Sequence, residues 1–146
     1  MIKLFTIGFT QKTAEHFFSL LVKAGVRNVI DTRLNNRSQL AGFSKADDLP
    51  FFLRAIGEMS YRHATEMAPT QDMLDRYKKL KGSWSEYEEE FRGLLERRRL
   101  IESISIADLN NSCLLCSEHE PQNCHRRLVA EYVQSFHPQV LVTHLL

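Results

Sequence analysis

With 146 residues, 43% hydrophobic and 25% charged, the chain has the size and composition of one soluble globular domain able to bury a core. Nineteen basic against eighteen acidic side chains leave a net charge of +1, which excludes holding a polyanion through the overall field and leaves only a local basic patch. No apolar run reaches the roughly twenty residues of a membrane span, Met1–Gly8 lacks a signal-peptide pattern, and the odd count of three cysteines reads as reduced thiols in the cytoplasm.

In chain order, Ile2–Ile7 predicts a short buried strand broken by Gly8-Phe9-Thr10. Thr13 is placed to cap a helix whose Phe17, Leu20, Leu21 and Ala24 recur at helical spacing, with Gly25 as its stop. Val26–Thr32 predicts a second strand, ending in Asp31-Thr32-Arg33, and a polar loop follows from Leu34 to Phe43. Ser44 or Asp47 opens a helix with Pro50 in its first turn and Leu49, Phe52, Leu53 and Ile56 on one face, closed by Gly57. Met59–His63 predicts a weak strand. Thr70 caps a helix carrying Met73, Leu74 and Tyr77, and Ser83-Trp84-Ser85-Glu86 is a capping box opening the longest helix. Ile101–Leu109 predicts a short helix, Cys113–Cys116 a strand, Pro121–Phe136 a helix and Gln139–Leu145 a closing strand. Such alternation predicts a single α/β domain. Its mainly parallel sheet of about five strands carries helices on both faces, in a Rossmann-like three-layer arrangement. Ligands of these sheets sit beyond the carboxyl ends of the strands, so the loops after Ile7, Thr32 and Cys116 are the places for chemistry.

The third loop, Ser117 to Asn123, runs from a buried strand into a helix start where backbone N–H groups lack partners. His125 and Arg126 in that first turn are cations where cations are disfavoured, which calls for an anion nearby. Glu118 and Glu120 are one source, pinning the loop by an internal ion pair; a bound ligand is the other. Cys116 is read as a buried strand-end thiol lining the site in preference to a nucleophile, because nine residues and two glutamates separate it from Arg126. Cys113-x-x-Cys116 before Cys124-His125 invites a metal. However, alternation on a strand sends Cys113 and Cys116 to opposite faces, and His119, Cys124 and His125 with Cys116 match no usual zinc spacing, so no metal is expected.

In the second loop, Arg33 and Arg37 offer forks for phosphate or carboxylate, and Asp31 is placed to orient Arg33 or Arg126. Asn35, Asn36 and Gln39 carry paired donors and acceptors suited to a base edge, although such residues also favour solvated turns. Gly8 and Thr10 allow close backbone approach beside a hydroxyl. Trp84 reads as a packing residue, Arg97-Arg98-Arg99 as a solvated helix end, and His16, His137 and His144 as structural.

These motifs resemble the domain of unknown function 488 family. The matching stretches are Thr6–Thr10, Asp31–Arg33 with Ser38–Phe43, Tyr61–His63, Leu114–Glu118, and Pro121 followed by Cys124–Arg126. Leu34–Asn36 and Ala68–Thr70 resemble a compact branch of the family. The resemblance implies a cytoplasmic prokaryotic α/β protein with a pocket built from these motifs, and brings no activity. The expectation is a hydrolase or transferase acting on a phosphate-containing ligand such as a nucleotide or nucleic-acid component. Glu118 and His125 would transfer protons, and Gly8, Thr10, Asp31, Arg33, Asn36, Arg37, Gln39, Cys116 and Arg126 would hold the ligand. No cofactor is expected. The alternatives are a non-catalytic nucleic-acid or nucleotide-binding module, and a structural or partner-binding protein with an internal Glu–Arg network.

Overall fold

A computed structural model describes residues 1–37 and 42–146. Its five strands form one all-parallel sheet in the order β3-β2-β4-β1-β5. They are β1 (Ile2–Gly8), β2 (Asn28–Asp31), β3 (Ser60–His63), β4 (Ser112–Cys116) and β5 (Val140–Leu145). Between them run α1 (Ala14–Ala24), α2 (Leu49–Gly57), α3 (Gln71–Lys78), α4 (Trp84–Arg97), α5 (Leu100–Ser103) and α6 (His125–Phe136).

Side-chain alternation on the strands divides the core in two. Phe5, Ile7, Val29, Cys113 and Leu115 pack under α1 and α2 with Phe17, Leu21, Leu49 and Leu53. Leu4, Ile30, Leu114 and Val140 pack on the opposite face with Phe91, Leu95, Leu100, Leu128 and Val129 of α4, α5 and α6. The domain is thus three-layered, as its element pattern predicts. All five residues of β4 are buried, as a central parallel strand covered on both faces requires.

This wiring creates a switch point at β4. The chain leaves β1 and β2 over the α1/α2 face, whereas it leaves β4 over the α6 face. The connections on both sides of β4 therefore diverge from its own and open a crevice at its carboxyl end. Among the described residues, no helix is long and apolar enough to cross a membrane.

The predicted caps form: Thr13, Thr70 and Ser83 accept from the N–H groups of His16, Met73 and Glu86. Several boundaries move. Strand β2 stops at Asp31 because its carboxylate accepts the Arg33 N–H at 3.1 Å and turns the chain out of the sheet. Gly57 remains inside α2, and Glu58, at φ 54°, makes the left-handed closing turn. The stretch read as one helix from Ile101 divides into α5 and a 3-10 turn over Ile106–Leu109. Helix α6 starts at His125 rather than Pro121, after a turn in which the Cys124 N–H donates to the Pro121 carbonyl at 3.2 Å.

Candidate functional site

The site is assembled from the bottom by two buried arginines, each held differently. Arg33, just past β2, is 4% exposed and grips the fully buried Asp31 with Nε and Nη2 at 2.9 and 2.8 Å. Its Nη2 also donates to the Ser44 carbonyl at 2.6 Å, and its guanidinium lies 5.0 Å over the Phe9 ring. Tyr61 on β3 donates at 2.6 Å to Asp31 Oδ2, the oxygen that Arg33 Nη2 also holds, and Asn36 donates its amide to the Tyr61 hydroxyl at 3.0 Å. Burial, and the hydrogen bond Tyr61 donates to Asp31, push the Tyr61 phenol up to about 12. His63 donates from Nε2 to the Arg33 carbonyl at 2.7 Å, fixing the chain at that turn. Arg33 Nη1 is buried and has no hydrogen-bond partner among the described residues.

Arg126, in the first turn of α6, is wholly buried and points back along the loop after β4. Its Nη1 and Nη2 donate to the carbonyls of Glu118 and His119 at 2.6 and 3.2 Å. Both hydrogen-bond partners are therefore neutral, and Nε has none among the described residues. The Glu118–Arg126 ion pair, offered from sequence as an alternative, does not form among the described residues, because the Glu118 carboxylate is turned outward, 3.5 Å from Lys78 Nζ. Only the Glu118 carbonyl reaches the arginine. Thr10 clasps the same loop, giving its N–H and hydroxyl to the Ser117 carbonyl at 3.1 and 2.7 Å. Gly8 is paired with Cys116 across β1 and β4, and a Cβ there would lie 1.6 Å from the Glu118 carbonyl oxygen. The glycine is thus required by the close approach of the loop, and Gly8 and Thr10 hold protein backbone, in contrast to the ligand contacts assigned to them from sequence.

Beside this clasp three donor groups converge. Cys116, Cys124 and His125 are all buried, and their ligating atoms lie within 4.8 Å of one another. His125 Nε2 is 2.7 Å from the Thr32 carbonyl, which can only accept, so Nε2 carries the proton and Nδ1 presents its lone pair to Cys116 Sγ at 3.6 Å. The hydrogen bond from Cys124 brings the Cys116 thiol down to about 7 against the opposing effect of burial. Burial also pushes the Cys124 and Cys113 thiols up. Cys113 sits on the far face of the sheet, as strand alternation requires.

A cavity of about 350 Å³ opens above these groups. Its floor includes Arg33, Cys116, Cys124 and His125, its rim Glu118 and Lys78, and its walls Phe9, Tyr77, Trp84 and Tyr87. Trp84 stacks on Tyr87 with ring centroids 5.0 Å apart and planes 21° apart, while Tyr77 meets Trp84 at 63°.

Of the residues predicted for the site, Arg33, Cys116, Glu118 and His125 line this cavity. Asp31 and Arg126 lie behind it as supports. The Asn36 amide is spent on Tyr61, Arg37 is exposed and does not line the cavity, and Gln39 lies outside the described residues. His125 commits Nε2 to the Thr32 carbonyl and faces Cys116 Sγ with Nδ1, so only Nδ1 is left for the proton-transfer role expected of it. Sequence reading gave Tyr61 only as part of a matching stretch and no role, whereas it shares Asp31 Oδ2 with Arg33, and it placed Trp84 and Tyr77 in packing alone. The signal for the wall was present in the aromatics Tyr77, Trp84 and Tyr87, which meet because α3 and α4 are adjacent. Arg98, expected to stay solvated, donates to the carbonyls of Glu66 and Ala68 at 2.9 and 2.6 Å and pins the turn before α3.

The fold and site together define a parallel α/β protein with an aromatic-walled cavity at its switch point. Residues 13–133 match the family described as Domain of unknown function DUF488, and the chain belongs to that family. No curated protein and no solved structure matches it.

Proposed function

We propose that the protein is a hydrolase or transferase acting on a phosphate-containing ligand of the nucleotide type. The observation that carries this reading is the buried Arg33, a cavity-lining cation whose Nη1 has no acceptor among the described residues. A buried donor left unpaired costs about 1–3 kcal/mol, and a phosphate oxygen entering the cavity would remove that cost. Two features support it. Helix α6 begins at His125 after the N-cap Cys124, which makes no side-chain cap among the described residues, so the positive end of the helix is open to an anion. Trp84 and Tyr77 supply flat apolar surfaces suited to a base or other planar ring.

In this mechanism Arg33 and the helix start hold the phosphate, and Glu118 on the rim moves the proton at the bond that breaks. Asp31 and Tyr61 keep the Arg33 fork in place. The reading also retains the cytoplasmic setting expected for three free thiols. Its test is a turnover screen of nucleotides, sugar phosphates and short oligonucleotides with wild type and Glu118→Gln. The expected result is turnover of one phosphate compound that falls by about 100-fold or more in the variant, the usual contribution of a proton-transfer group. The side chain is exposed and only loosely paired with Lys78, so the variant should melt as wild type does. Turnover unchanged by Glu118→Gln, or absent for every phosphate compound, would refute the reading.

A further inference from the structure

We propose that Cys116, Cys124 and His125 form a zinc site with three protein ligands and a fourth position open to the cavity. The arrangement is that of a site which binds metal and still admits a ligand, because such sites keep one coordination position free of protein. The inference stands on geometry alone and is independent of what fills the cavity.

Four observations converge. The three donors are soft or borderline, two sulfurs and an imidazole nitrogen, the set that favours zinc over the oxygen-seeking cations. Two ligands bound tetrahedrally at about 2.3 Å for sulfur and 2.0–2.1 Å for nitrogen stand roughly 3.6 Å apart. Cys116 Sγ and His125 Nδ1 are already 3.6 Å apart. The imidazole is oriented for the task, since Nε2–H donates to the Thr32 carbonyl at 2.7 Å and leaves Nδ1 free to ligate, the outer-shell bond that metal-binding histidines make. Finally, all three residues line the cavity, which offers space beside them for a fourth ligand. Zinc with two thiolates and a neutral imidazole carries no net charge, so the nearby buried Arg126 does not oppose it. A neutral metal site beside that cation still leaves room for an anion at the open vertex.

The spacing escapes sequence rules because the ligands come from two elements. Cys116 ends β4, whereas Cys124 and His125 open α6 after a seven-residue loop folded back by Arg126 and Thr10. The adjacent pair Cys124-His125 can both ligate because Cys124 is still in extended backbone, at φ −135° and ψ 137°, and His125 begins the helix.

The test is titration of the reduced, metal-stripped full chain with cobalt(II) and then zinc. The proposal expects one cobalt per chain, with a thiolate-to-cobalt charge-transfer band and the intense visible bands of tetrahedral coordination, both erased by one equivalent of zinc. Cys116→Ser and Cys124→Ser should each weaken zinc by more than the roughly 10–100-fold that loss of an outer-shell partner costs. Cys113→Ala, on the other face of the sheet, should bind as wild type. If either serine variant fails to fold, protection of Cys116 and Cys124 from alkylation by zinc in the wild-type chain gives the same answer. Absence of the charge-transfer band, protection of neither thiol, or a band that survives removal of both Cys116 and Cys124 would overturn the proposal.

Discussion

Replacing Gly8 by alanine isolates the contact on which the loop after β4 depends. Gly8 has no positive φ, so alanine meets no backbone strain there and by itself would stabilise by about 0.4–1 kcal/mol through the unfolded chain. The added Cβ would lie 1.6 Å from the Glu118 carbonyl oxygen and 2.5 Å from its carbon, so the loop must retreat by more than an ångström. That movement breaks the Arg126 bond to the Glu118 carbonyl at 2.6 Å and strains the two Thr10 bonds to Ser117. Overpacking costs about 1–3 kcal/mol, and loosening a hydrogen bond from a buried charge costs about 1.5–3 kcal/mol. After the small gain is subtracted, Gly8→Ala should lose about 4 kcal/mol, or roughly 13 °C in Tm for a domain of this size. Urea unfolding followed by far-ultraviolet circular dichroism, with a thermal melt beside it, reads this directly. A variant as stable as wild type would refute the clasp, since the sign is set by the contact alone.

Two further outcomes follow from the Asp31 network. Asp31 accepts from the Arg33 N–H, Nε and Nη2 and from the Tyr61 hydroxyl. Asp31→Asn should therefore destabilise by about 3–5 kcal/mol in chemical denaturation, because it leaves a buried guanidinium unpaired; a loss under 1 kcal/mol would show that the pair is not buried in solution. The Tyr61 phenol is raised from 10 to about 12, so the folded chain keeps its proton where the unfolded chain has lost it. Its contribution is complete below pH 10 and is lost as pH rises toward 12. After solvent screening it amounts to about 1 kcal/mol, and it should vanish in Tyr61→Phe.

The sheet and its helices were legible because they depend on local patterns. Buried runs such as Ser112–Cys116, hydroxyl caps at Thr13, Thr70 and Ser83, and apolar residues at helical spacing each act within a few residues. The motif loops were also placed correctly at the strand ends, since that follows from parallel topology. What stayed hidden was which group faces which. Sequence offers Glu118 and Arg126 as natural partners, but the loop turns the carboxylate outward and uses the carbonyl. Cys116 reads as an inert strand end until α6 starts four residues late and brings Cys124 and His125 beside it. Trp84 reads as packing because its cap position says nothing of α3, whose Tyr77 completes the wall. These are long-range contacts, decided by how α3, α4 and α6 pack on one face of the sheet.

The most direct test of the cavity as a phosphate-ligand site uses its own reporter, since Trp84 is the single tryptophan of the chain and stands in the cavity wall. Titrating nucleoside monophosphates against the corresponding nucleosides while following Trp84 emission separates ring stacking from phosphate binding. The account predicts a saturable change with at least one monophosphate and affinity about tenfold or more weaker for its nucleoside, a difference of about 1.4 kcal/mol assigned to the anion at Arg33 and α6. Emission that no phosphate compound alters, or that responds equally to nucleoside and monophosphate, would contradict it.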